Sequence, residues 1–114
     1  MKFAISTHKN CFIYDYEADS ITTIERGTAG ATWAYGISWL KDKMFIGWRK
    51  PGEILEYDTN FKFTGRKCDL SDGRKIGDVH QIVCFDEKIW ATNTGKNSIY
   101  IFDAKTLELT IWFI

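Results

Sequence analysis

The chain carries no net charge: fifteen Lys and Arg offset fifteen Asp and Glu in 114 residues. That balance argues against a surface built to grip nucleic acid or an anionic membrane. It also leaves little electrostatic protection against self-association. No window approaches the ~20 apolar residues of a membrane span. The opening MKFAISTHKN lacks the unbroken apolar run of roughly 7–15 residues that a secretory signal needs, so the expected location is the cytoplasm. Cysteine is scarce and odd in number. Cys11, Cys68 and Cys84 show no C-x-x-C spacing, unlike the dense, even-numbered framework of a secreted disulfide scaffold. Cys11 and Cys84 sit inside apolar runs and read as small core residues. The two histidines, His8 and His80, have no metal-ligand spacing with any Cys, so no metal or cofactor is expected. The chain has no P-loop, G-x-G-x-x-G, G-x-S-x-G or H-E-x-x-H, and the chemistries those motifs serve lack support. Proline occurs once, and no segment keeps a 3.6-residue apolar period long enough for a helix.

What the chain has is aromatic and repetitive. It is 45% hydrophobic and 26% charged, with five Trp, five Tyr and eight Phe, the composition of one globular domain spanning 1–114. Tyr14-Asp15, Tyr57-Asp58 and Phe102-Asp103 recur with Asp-to-Asp separations of 43 and 45 residues. A constant shift of 45 lays the last two copies over each other without a gap. Ile37 then meets Ile82, Lys43 meets Lys88, Met44 meets Ile89, Phe45 meets Trp90, Ile54 meets Ile99 and Tyr57 meets Phe102. In the first copy Phe3, Ala4 and Ile5 align with Met44, Phe45 and Ile46 at a shift of 41.

Each copy reads as short strands rich in Ile, Phe, Tyr, Trp and Thr. YGISWL, KMFIGW, EILEYD and FKFTGR make one set, and HQIVCF, KIWATN, SIYIFD and LELTIWF the next. The first copy supplies only KFAIST, CFIYDY and SITTIE. Turn chemistry separates them, including Lys50-Pro51-Gly52-Glu53, which fits a type II turn with Gly52 at positive φ. Four antiparallel strands every ~45 residues mark a β-propeller blade. The expected fold is therefore all-β, an incomplete propeller with blades at 1–30 (lacking its innermost strand), 31–76 and 77–114. A β-sandwich, the rival, does not require a constant self-match.

The third copy, Trp90-Ala91-Thr92-Asn93-Thr94-Gly95-Lys96-Asn97-Ser98-Ile99-Tyr100-Ile101-Phe102-Asp103, resembles an NHL-type repeat. Gly95, Asn97, Ile99 and Phe102-Asp103 match that family's pattern. Asn93 stands where the family usually has Asp, and Ser98 where it usually has Arg or His. The resemblance implies a propeller, usually of about six blades. It implies no reaction, because such proteins include ligand-binding modules, protein-interaction domains, lyases and lactonases.

Under three blades leave two aromatic-rich faces bare, whereas propellers close on themselves. Exposing several hundred Å2 per face at roughly 25 cal/mol per Å2 costs several kcal/mol, comparable to the stability of a whole domain this size. The partner expected is a second copy, closing a ring about a two-fold axis, unless the chain is part of a longer protein. Antiparallel pairing places the start of each inner strand beside the end of the next one. Tyr35 and His80 open their strands; Trp48 and Asn93 end theirs, with Thr7 their counterpart; His8, Arg49 and Thr94 follow. Tyr35, Trp48, Arg49, His80, Asn93 and His8 are therefore the candidate ligand-binding residues at one mouth of the central channel. Trp33, Trp39, Trp90 and Trp112 read as packing between blades. Glu53 and Asp78 read as solvated turn charges, and the recurring Asp15, Asp58 and Asp103 as turn-forming residues. The favoured function is a non-catalytic module binding a small polar ligand, such as a carbohydrate. The alternatives are a protein-interaction or structural scaffold and a metal-dependent lactonase- or lyase-like enzyme, for which no carboxylate convincingly joins His80 and Asn93, Asp78 being the best candidate.

Overall fold

The computed structural model describes every residue except 29, 71–73 and 75. Its described residues form eleven strands and one short 3-10 turn, Thr94–Lys96. β1 (Lys2–Ser6), β2 (Cys11–Asp15) and β3 (Ser20–Thr23) make the first sheet. β4 (Thr32–Leu40), β5 (Lys43–Lys50), β6 (Glu53–Tyr57) and β7 (Phe63–Lys67) make the second. β8 (Val79–Phe85), β9 (Lys88–Asn93), β10 (Ser98–Asp103) and β11 (Leu109–Phe113) make the third. Every strand pairs antiparallel with its neighbour in sequence, so each sheet is a meander. The chain is all-β, as the repeat predicts.

The turns explain where strands begin and stop. Asp86 and Glu87 join β8 to β9 with positive φ at both positions, the two-residue geometry whose twist suits a hairpin. The repeated aspartates form the expected local bonds. Asp15 accepts from the Ala18 N–H at 3.2 Å, Asp58 from those of Asn60 and Lys62 at 2.8 and 3.0 Å, and Asp103 from those of Lys105 and Thr106 at 2.8 Å each. The Asp58 turn takes Phe61 and Lys62 out of the strand expected there, and β7 starts at Phe63. The turn at Pro51 is wider than a type II turn. Gly52 has φ +94°, but its N–H donates to the Trp48 carbonyl four residues back, at 3.0 Å. A Cβ on Gly52 would stand 2.5–2.9 Å from the backbone of Gly77, and the Ile76 N–H donates to the Gly52 carbonyl at 3.1 Å. Glycine there lets the second sheet's turn dock against the entry to the third.

Two apolar cores sit on opposite sides of the second sheet. Met44, Ile46, Trp48, Leu55 and Tyr57 pack with Cys11 and Ile13 of the first sheet. Phe45 and Ile54 pack with Val79, Ile82, Ile89 and Ala91 of the third. Alternation along β5 therefore sends successive side chains to different cores, and all of Met44–Trp48 is buried. Within the second sheet, Glu56 is buried but paired. Its carboxylate faces Lys43 Nζ at 3.3 Å and Arg66 Nη1 at 3.0 Å, and accepts from Thr64 Oγ1 at 3.0 Å.

Candidate functional site

The end of the molecule where β1, β5 and β9 finish carries a run of touching rings. His8 meets Trp33 edge-on with centroids 4.8 Å apart. Trp33 and Tyr35 are near-parallel at 6.2 Å, and Tyr35 meets His80 at 4.7 Å. The row thus crosses from the first sheet to the third. Backbone geometry sets it up. Trp33 has φ +60° just before a bulge between Ala34 and Gly36, and its N–H donates to the His8 carbonyl at 2.9 Å. This bond joins the β1–β2 turn of the first sheet to the start of β4 in the second.

Cations and one carboxylate flank the rings. The Arg49 guanidinium lies 4.6 Å from the Trp33 ring centroid, and Lys50 Nζ lies 5.1 Å from it, both within cation–π range. Arg49 Nε also donates to Asp78 Oδ1 at 3.1 Å. Asp78 is half exposed but is not simply solvated, since it bridges the second and third sheets. The neighbouring Gly95 leaves it room: a Cβ there would stand 2.5 Å from the second Asp78 oxygen. The indole N–H of Trp33 is buried with no hydrogen-bond partner among the described residues.

The candidate residues therefore separate. His8, Tyr35, Arg49 and His80 lie together at this end, all at least partly exposed. Trp48 does not reach the rim. It is fully buried, and its Nε1 donates to the Tyr57 hydroxyl at 3.2 Å, which donates onward to the Glu25 carbonyl at 2.5 Å. β5 alternation carries Trp48 to the side facing the first sheet and leaves Arg49 at the surface. Asn93 is also buried. Its amide N–H donates to the Ile76 carbonyl and holds the loop before β8, while its Oδ1 has no partner among the described residues. Thr94 ties the same loop from outside, its N–H donating to the Asp78 carbonyl at 3.2 Å.

Of the other tryptophans, Trp39 and Trp112 are about half exposed in the single chain, and Trp90 lies on the outward face of the third sheet. Trp33, expected between blades, is the centre of the ring row. Its position two residues before Tyr35 was the available signal, because residues i and i+2 of a strand share a face. Glu53 is not a solvated turn charge. Its side chain is mostly buried, accepts from Thr28 Oγ1 at 2.6 Å and lies 3.5 Å from Lys67 Nζ.

Other chemistry is muted. Cys11, Cys68 and Cys84 are free thiols. Burial pushes the Cys11 thiol up to about 11, and raises Cys68 and Cys84 as well, so all three are weak nucleophiles near neutral pH. Among the described residues, no group of three or more His, Cys, Asp or Glu is placed to hold a metal ion. No helix among them is long and apolar enough to cross a membrane.

No family model and no curated protein matches the chain by sequence. Solved structures match by shape. The chain is similar to Sqt1 of Saccharomyces cerevisiae with a TM-score of 0.73 at 19% identity, over 97% of this chain and 30% of that one. It is similar to a chain of a nidogen/laminin complex with a TM-score of 0.71 at 8% identity, over 98% of this chain and 41% of that one. It is similar to AztD of Citrobacter koseri with a TM-score of 0.70 at 16% identity, over 99% of this chain and 31% of that one. These are propeller-type proteins, and the chain spans between about a third and two fifths of their lengths. At such low identity the likeness is one of fold: three antiparallel sheets of a partial propeller.

Proposed function

We propose that the chain is a non-catalytic, NHL-like propeller module that assembles with copies of itself and binds a small polar ligand, a carbohydrate, at the ring-lined rim. The observation that carries this reading is the row His8–Trp33–Tyr35–His80 with Arg49 and Lys50 against its central indole. A sugar presents C–H faces that stack on rings and hydroxyls that take charged donors. The three free thiols suit the reducing cytoplasm.

Saturation-transfer NMR against a panel of neutral and acidic sugars tests the reading. Binding is expected, and Tyr35→Ala is expected to weaken it at least about tenfold, the loss of one stacking and contact surface. Tyr35 is exposed, so this variant keeps its fold. A panel without a hit, or a hit that Tyr35→Ala and Arg49→Ala both leave untouched, overturns it. A scaffold reading has its own support in the two apolar end faces. It predicts a protein partner recovered by pull-down and no sugar bound.

A further inference from the structure

The outward faces of the two end sheets are apolar and differ from each other. Register puts Phe3, Ile5, Phe12, Tyr14 and Ile21 on the outward face of the first sheet, opposite the buried Cys11 and Ile13. The outward face of the third sheet carries Val83, Phe85, Trp90, Ile99 and Ile111, and Val83, Trp90 and Ile99 border a depression of about 340 Å3. The geometry points to a two-chain ring in which the first sheet of one copy packs on the third sheet of the other, at both junctions. This deepens the self-assembly in the function proposed above and rests on that reading.

The fit is written in the inner strands. Where the second sheet receives the third, Gly36 and Gly47 are paired across β4 and β5. A Cβ on Gly36 would stand 2.8 Å from the Ile82 backbone N, and one on Gly47 would stand 2.7 Å from Val79 Cγ1. These glycines let the inner strand β8 come to backbone contact. At the constant shift of 45, the third sheet has Gln81 and Thr92 in the same two places. They are locked together, the Gln81 N–H donating to Thr92 Oγ1 at 3.0 Å. A four-stranded sheet docking there as the third docks on the second would drive its inner strand into those side chains. The first sheet has three strands, and β1 is its inner edge. It is the one sheet of this chain that fits a face without the two glycines.

The area is sufficient. A face three strands wide and five residues long projects to about 250 Å2, from strand spacings near 4.8 Å and lengths near 17 Å. Four such faces meet in the ring, about 1,000 Å2 before side-chain relief, which is the size a biological interface has to clear. The pairing also satisfies symmetry: two identical junctions related by one two-fold axis leave no end face open.

Sedimentation equilibrium and native mass spectrometry of the full chain test this, with Ile5→Lys on the first face and Val83→Glu on the third. Both residues are exposed in the single chain, so circular dichroism is expected to be unchanged. The wild type is expected at twice its 13.2 kDa. Each variant alone is expected to dissociate at least tenfold more readily, since each spoils both junctions. An equimolar mixture is expected to re-form a dimer, because one junction is then intact and the other opposes Lys to Glu. A wild-type monomer or trimer overturns the ring. So does a dimer broken by only one variant or by neither, an outcome that leaves self-assembly through other faces standing. Sugar binding at Tyr35 is read separately, so its failure is distinguishable from failure of the ring.

Discussion

β1 and β5 begin alike in sequence and end in opposite surroundings. Phe3 and Ile5 align with Met44 and Ile46, yet Phe3 and Ile5 are 45% and 44% exposed while Met44 and Ile46 are 0% exposed. The difference is not in the strands, which share pattern and hydrophobicity. It lies in what stands beside them. The second sheet has a neighbour on each face and the first has one on a single face. In a stacked-sheet fold, burial belongs to the position in the stack, and an end sheet keeps an apolar face that its own chain does not cover.

The largest test of that contrast is a pair of truncations. Ile46→Ala removes buried methyl groups between two sheets and is expected to cost about 2–5 kcal/mol, whereas an exposed site in a single chain costs within about 0.5 kcal/mol. Urea unfolding at low protein concentration is expected to show Ile46→Ala far below wild type and Ile5→Ala near it. Raising the concentration sharpens the comparison. If the first sheet is covered by a second copy, the cost of Ile5→Ala grows with concentration and the midpoint of the wild type rises by mass action. Equal costs at every concentration break the contrast between middle and end sheets.

A medium effect separates two faces that the repeat aligns. Gly47→Val forces branched carbons against Val79 and is expected to destabilise by about 1–3 kcal/mol through overpacking. Thr92→Val, at the aligned position of the third sheet, meets no packed sheet in the single chain. It removes the hydroxyl that accepts the Gln81 N–H and is expected to cost about 1 kcal/mol or less. Thermal unfolding of both variants checks the order. A Thr92→Val loss as large as that of Gly47→Val would place a tightly packed neighbour on the third sheet already.

These pairs also show what the sequence made legible and why the rest stayed hidden. Strand positions were readable because period-2 alternation and Asx turns are local. The turns at Asp15, Asp58 and Asp103 form from residues within four positions of one another. The end of the molecule that gathers His8, Tyr35, Arg49 and His80 was readable because antiparallel pairing fixes which strand ends are neighbours. Trp48 and Trp33 exchanged places for a non-local reason. Both sit at strand ends near the same rim, but a bulge and a positive φ turn Trp33 outward, while Tyr57 and Glu25 offer the Trp48 side an interior bonding chain. Glu53 was misread because its partners are not local in sequence: Thr28 comes from the loop before β4 and Lys67 from the end of the paired strand β7.

The smallest expected effect compares the outermost turns of the two end sheets. Asp15 accepts one backbone N–H at 3.2 Å, while Asp103 accepts two at 2.8 Å. The bonds from the Thr106 and Lys105 backbone, with Lys88 as a lesser charge, hold the Asp103 carboxyl below the usual carboxylate value. A lowered native pKa means that the folded state favours the ionised form. The resulting stability is present above the unfolded value near 4 and is lost as the pH falls through the native one. The melting temperature of Asp103→Ala is therefore expected below wild type at pH 7, with the two curves converging as the pH drops beneath about 4. Asp15→Ala is expected to show a smaller gap at pH 7, because one longer bond is at stake. Parallel curves for Asp103→Ala would mean that its turn is held by Leu107, whose buried side chain and N–H bond to the Asp103 carbonyl at 2.8 Å close the same loop, and not by the carboxylate.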